Sequence, residues 1–224
     1  MVQGEKHHLS AMLTVKRFMC NMLQENCYIV SDETKECVVI DCGAAYQEER
    51  GAISHYIKNE GLKPVHLLAT HGHLDHNWGN IALYDEFGLK VEARAEDAFL
   101  IEHLGKQARE MFGFDLAEEE APVGHYFSEG EAVSFGTHRL QIIHTPGHTP
   151  GGCCYYCEEE KVMFSGDTLF RMSIGRTDFE GSSWTQMAES LHQLAKLPAD
   201  TTIYSGHGPQ STIADELRFN PYMR

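Results

Sequence analysis

Residues 71–76 read His-Gly-His-Leu-Asp-His. In an extended loop, residues two apart face the same way, so His71 and His73 can grip one ion. Asp75 and His76 follow as the chain turns toward a helix, and they can aim at a second position nearby. Imidazole nitrogen and carboxylate oxygen are ordinary zinc ligands, so the chemistry on offer is that of divalent cations. Three further ligand types stand far along the chain. His148 lies in Thr-Pro-Gly-His-Thr-Pro-Gly (145–151), Asp167 in Ser-Gly-Asp-Thr (165–168) and His207 in Ser-Gly-His-Gly-Pro (205–209). With these three, two metal shells are complete, and Asp75 and Asp167 are the candidate catalytic carboxylates. Glycines 72, 147, 151, 152, 166, 206 and 208 flank the set, as close approach of backbone to a bound group requires.

Such residues need rigid elements behind them, and the hydrophobic pattern supplies candidates. Strands are expected at Met12–Cys20, Asn26–Ser31, Cys37–Asp41, Val65–Thr70, Val91–Ala93, Ala132–Phe135, Arg139–Thr145, Cys153–Cys157, Lys161–Ser165 and Thr201–Ser205. Helices are expected at Tyr46–Asn59, near Ile81–Phe87, and at Ala95–Phe112, Trp184–Leu197 and Ile213–Phe219. Residues Gly113–Gly130 read as a long acidic loop, a candidate flap. Asp41 and the seven ligand candidates then all fall at or just past strand ends, where rigid scaffolds carry their sites. Strands cluster and then helices, twice over. That pattern suggests two packed sheets with helices outside, in one domain over residues 1–224.

Composition narrows the function. With 42% hydrophobic and 23% charged residues, the chain is ordinary for a soluble globular protein. The net charge of -15 and the lack of a Lys/Arg cluster argue against a nucleic-acid partner. The runs Glu118–Glu120 and Glu158–Glu160 read as solvated loops. The start of the sequence shows no apolar leader, and no run is long enough to span a membrane, so a cytoplasmic location without membrane contact is expected. Seven cysteines without disulfide spacing read as buried free thiols. Cys154 and Cys157 spell C-x-x-C, but on a strand residues three apart point to opposite faces. His7, His8, His55, His66, His103, His125, His138 and His192 have no partner motif and read as surface or helix-face residues.

The segments THGHLDH, PGHTPG, SGDTLF and SGHGP resemble the metallo-β-lactamase superfamily, in order and over most of the chain, and within it the short glyoxalase II-like hydrolases. The resemblance implies a four-layer αββα sandwich of the α/β class. It implies one metal on His71, His73 and His148, a second on Asp75, His76 and His207, and Asp167 bridging them. Asp41 matches a family carboxylate that orients a ligand histidine; the family usually has Pro where Cys42 stands. Two divalent ions are implied, zinc favoured over iron or manganese. Such a pair can share a hydroxide formed from water of pKa near 7, which attacks an ester or thioester carbonyl. The implied substrate is a small acyl-thiol such as S-lactoylglutathione. Arg171 and Arg176 are candidates to meet a substrate carboxylate. The longer glyoxalase II enzymes bind glutathione with a helical extension; this sequence ends soon after His207, so weak selectivity for the thiol part is expected. Residues 175–179, Gly-Arg-Thr-Asp-Phe, also resemble a segment of the persulfide dioxygenases, which hold one iron; a mononuclear iron dioxygenase is therefore the main alternative. A metal-binding protein without catalysis is a third reading, and the intact ligand set argues against it. A nuclease would carry an inserted domain and a basic groove, a β-lactamase an export signal, and a flavodiiron protein Glu in place of His73.

Overall fold

The computed structural model describes residues 12–116 and 120–223. The first half builds a six-stranded sheet from β1 (Thr14–Cys20), β2 (Glu25–Ser31), β3 (Glu36–Ile40), β4 (Lys63–Leu68), β5 (Val91–Arg94) and β6 (Val123–Phe127), in that order. Strands β1 to β3 are antiparallel neighbours, and β3 to β6 run parallel. Helices α1 (Gln47–Asn59), α2 (Leu74–Asn77), α3 (Asn80–Phe87), α4 (Ala98–Ile101) and α5 (Leu104–Gln107) fall in the crossovers, as parallel pairing demands. The second half contributes β7 (Ala132–Phe135), β8 (His138–His144), β9 (Cys153–Cys157) and β10 (Val162–Gly166), then the small hairpin β11 (Leu169–Phe170) and β12 (Ser173–Ile174). It closes with α6 (Trp184–Leu194), β13 (Thr202–Ser205), β14 (Ser211–Thr212) and α7 (Ile213–Phe219). Its six-stranded sheet has the order β14-β13-β10-β9-β8-β7.

Three apolar clusters define four layers. Tyr28, Val30, Val38, Ile40 and Leu68 of the first sheet meet Val133, Leu140, Tyr155 and Phe164 of the second. Ile53, Ile57 and Leu83 cover the outer face of the first sheet with Ile29, Val39 and Leu67. Met187, Leu191 and Leu194 form the inward stripe of α6, covering Met163, Tyr156 and Ile203. Alternation along β9 sends Cys157 to the seam between the sheets and Cys154 to the helix side, so the C-x-x-C pair does not converge. All seven cysteines are buried and free.

Several expectations need correction. The helix expected over Ala95–Phe112 is broken into a 3-10 turn (Ala95–Asp97), α4, α5 and a wide π-type turn at Ala108–Phe112. The supposed flap contains β6, the edge strand of the first sheet. Residues 117–119, with Glu118 and Glu119 of the acidic run, lie outside the described residues, as do His7 and His8. Glu160 is not simply solvated: its carboxylate lies 3.7 Å from His138 Nε2. His138 itself is buried and bonds Asp32 at 3.1 Å. His66 is half-buried as well, with Nδ1 2.7 Å from Glu92 Oε1 and Nε2 3.1 Å from the Ser134 carbonyl. The remaining His55, His103, His125 and His192 are exposed. No helix among the described residues is long and apolar enough to cross a membrane.

His66 makes the stability of the sandwich depend on pH. Both ring nitrogens face acceptors, and the Glu92 carboxylate raises the imidazole pKa against the opposing effect of burial. A folded-state pKa above the unfolded one stabilises the fold fully below the ordinary histidine value, and the gain is lost as pH rises through the raised value. Urea midpoints should therefore fall as pH rises from the ordinary histidine value through the raised one, and His66→Gln should flatten that dependence. An equally steep fall in the variant would assign the effect to another group.

Candidate metal centre

Every ligand candidate sits just past a strand. His71 and His73 follow β4, Asp75 and His76 ride on α2, His148 follows β8, Asp167 follows β10, and His207 follows β13. The two sheets thus bring their strand ends to one edge. Three groups have ligand atoms within 4.8 Å of one another: His71, His73 and His148; Asp75, His76 and His207; and Asp41, His71 and His76, the last lying behind the other two. Asp167 lies between the first two. Its Oδ2 is 3.6 Å from His148 Nε2 and 3.7 Å from His207 Nε2, and its Oδ1 is 3.3 Å from His76 Nε2.

The ring nitrogens turned away from this centre have partners of their own. His76 Nδ1 donates to Asp41 Oδ2 at 3.0 Å, His148 Nδ1 to the Arg176 carbonyl at 2.8 Å, and His207 Nδ1 to the Leu23 carbonyl at 3.1 Å. His71 Nδ1 meets Thr70 Oγ1 at 3.0 Å, and that hydroxyl donates to Asp41 Oδ2. These bonds leave Nε2 of His71, His76, His148 and His207 facing inward, the arrangement that fixes tautomer and ring orientation in metal sites. Asp41 also accepts from the Thr70 amide at 2.7 Å. It stands at φ 54 at the turn out of β3, so one carboxylate tethers both His71 and His76.

The donor set fits cations. His71 Nε2 and Asp167 Oδ1 are buried with no hydrogen-bond partner, and buried polar atoms rarely stay unpaired. Burial and the neighbouring imidazoles hold His71 well below the ordinary histidine pKa and His73 at about 3, so both present neutral lone pairs. Burial also works against charge on His76, but Asp167, Asp75 and Asp41 outweigh it and raise its pKa. Asp167 is held low despite burial, chiefly by His76. Positive charge is favoured at the centre of such a group. His76 Nε2 and His207 Nε2 are 3.3 Å apart, about the spacing of two nitrogens each 2.0–2.1 Å from one tetrahedral zinc.

Gly206 shows how tightly the site is drawn. A Cβ there would lie 2.3 Å from Asp167 Oδ1 and 2.6 Å from His76 Cε1, so any side chain would displace a ligand candidate.

Several supporting residues gave no sign in the sequence. Asp97, fully buried, accepts from the Gly72 amide at 2.8 Å, Thr149 Oγ1 at 2.7 Å and the Gly151 amide at 2.6 Å. It joins the His71–His73 loop to the His148 loop. Gln107 takes the Leu74 amide and donates to the carbonyls of Gly72 and Leu100. Asn77 donates to the carbonyls of His71 and His73. Glu25 is buried beside His76 Nδ1 at 4.0 Å, and burial raises its pKa, favouring a neutral carboxyl.

Of the two arginines, Arg176 is already engaged. It forms a paired ion bridge with Asp178 and stacks over Phe179 at 4.3 Å. The Phe179 ring stands edge-on to His73 at 5.3 Å and to His148 at 6.0 Å. Arg171 is exposed at the β11–β12 turn, without an ion pair among the described residues. On the opposite side Phe170 lies 6.1 Å from His207.

Residues 20–207 match the family model described as the metallo-beta-lactamase superfamily. The chain is similar to hydroxyacylglutathione hydrolase GloC of Haemophilus influenzae, with 36% identity over 89% of this chain and 93% of that one. Among solved structures it is similar to the BLEG-1 B3 metallo-beta-lactamase, with 33% identity, a TM-score of 0.86, and coverage of 94% and 99%. It is also similar to the di-iron-bound form of TTHA1623, with 35% identity, a TM-score of 0.82, and coverage of 93% and 100%.

Proposed function

This chain belongs to the metallo-β-lactamase superfamily, and from that premise we propose that it is a two-metal thioesterase acting on S-lactoylglutathione or a related acyl-thiol. One observation carries the two-metal reading. The Asp167 carboxylate comes within 3.7 Å of nitrogens in both ligand groups, and its buried Oδ1, 3.3 Å from His76 Nε2, makes no hydrogen bond. Similarity to a hydroxyacylglutathione hydrolase supports the acyl-thiol class.

In this reading His71, His73 and His148 would hold one cation, Asp75, His76 and His207 the other, and Asp167 would serve both. Divalent cations bound there would supply a nucleophilic water of near-neutral pKa and a Lewis acid for the acyl carbonyl. The protein's own groups do the rest. Asp75 stays ionised beside His76 and His207, overcoming burial, and would be able to accept a hydrogen bond from that water and so orient it. Phe179 covers one flank of His73 and His148 and keeps bulk water from that side. Arg171, with no ion pair among the described residues, is freer than Arg176 to meet a substrate carboxylate.

The test sets two assays side by side on protein purified without added metal. S-lactoylglutathione should release free thiol, with no oxygen consumed. Oxygen uptake on a glutathione persulfide by protein holding one iron per chain would replace this reading with the dioxygenase.

A further inference from the structure

We infer that the turn joining β1 to β2, with the start of β2, is a clamp for the second ligand group, with Asn21 in the turn and Asn26 in β2 as its positioning residues. The inference rests on the two-metal reading above. Asn21 is buried, with φ 50. Its Nδ2 donates to the carbonyls of Asp75 and Gly43, each at 2.9 Å, and its Oδ1 accepts from the Leu23 amide at 2.9 Å. The Leu23 carbonyl in turn accepts His207 Nδ1. Asn26 is 1% exposed, and it holds the loop on both sides of His207. Its amide donates to the Gly206 carbonyl at 2.7 Å, and its Nδ2 to the carbonyls of Ser205 and Gly208, each at 2.9 Å.

The second group needs such a strut, because His76 and His207 are 131 residues apart. The turn touches Asp75 from behind and His207 through its ring and its neighbours. None of the hydrogen bonds of Asn21 and Asn26 reaches His71, His73 or His148. Those three depend on Thr70, Asn77 and the Arg176 carbonyl, with Asp97 and Gln107 holding their loops. Asp41 is shared, since it holds His76 directly and His71 through Thr70, but the turn itself bears on the second group, so loosening the turn loosens that group first.

Metal binding reads this directly. Apo-protein is titrated with Zn²⁺ against a chromophoric chelator, and with Co²⁺ for its ligand-field absorption. Wild type should take two ions. Asn26→Ala and Asn21→Ala should keep one ion at wild-type affinity and weaken the other by about 10- to 100-fold, the usual loss when a partner behind a ligand is removed. Asp97→Asn, which loosens the His71–His73 and His148 loops, should spare the ion that the turn variants lose. Added to His207→Ala, Asn26→Ala should change binding less than about twofold, since coupled residues do not add. If Asn26→Ala does not fold, Asn21→Asp, which keeps the size and loses the Nδ2 donor, carries the same expectation. Equal weakening of both ions, or no change in either, overturns the clamp while leaving the two-metal reading in place. A wild type that holds a single ion overturns both.

Discussion

Asp167→Ala is expected to lower thioester turnover by on the order of 10³-fold, and His207→Ala by less, about 10- to 100-fold. The ranking follows from reach. Asp167 approaches His148 in one group and His76 and His207 in the other, whereas His207 belongs to one group. Losing Asp167 also leaves His76, whose raised pKa depends first on that carboxylate, without its main counter-charge. Both side chains lie in loops past strand ends, so far-ultraviolet circular dichroism should stay that of the wild type. Turnover of Asp167→Ala within a few-fold of wild type would show that this carboxylate does not serve both positions.

Removing divalent cations with a chelator should abolish turnover and lower Tm by roughly 10 °C, and added Zn²⁺ should restore both. An ion present at 1,000 times its Kd stabilises the folded state by about 4 kcal/mol. In a domain of about 150–250 residues each kcal/mol moves Tm by about 2–4 °C. The groups left behind explain why the apo-protein is the weaker fold. His71 Nε2 and Asp167 Oδ1 are already buried without partners, and each such atom costs about 1–3 kcal/mol. An unchanged Tm, with activity intact after chelation, would remove the metal reading altogether.

The ligand candidates were legible because each carries its signal locally: an imidazole or carboxylate, small neighbours, and a strand just before it. The supports were not. Asp97 reads as one acid in Arg-Ala-Glu-Asp (94–97), and nothing nearby announces that it is fully buried with partners 25 and 54 residues away. Gln107 looks like a solvent-facing helix residue, yet tertiary demand turns it toward Leu74 and Gly72. The breaks around α4 and α5 that place it there override a helical pattern that is continuous over Ala95–Phe112. Strand β6 was hidden by its Gly124 and its acidic surroundings. It pairs in parallel with β5, a contact the local pattern does not register. The two-residue strands β11 and β12 are too short for periodicity to reveal.

Both ligand groups draw on both sheets: residues 71–76 come from the first, His148 and His207 from the second. The stacking of those sheets is set by side chains such as Tyr28, Leu68, Tyr155 and Phe164, none of which is a ligand candidate. A misplacement of about 1 Å can cost 10²-fold in rate, so a volume change at this seam reaches the chemistry as surely as a change of ligand. For laboratory evolution, the interior is therefore not a neutral reservoir. Selection for a new substrate should enrich substitutions deep between the sheets as well as around the opening, and the fold's freedom to drift is limited by the centre it carries.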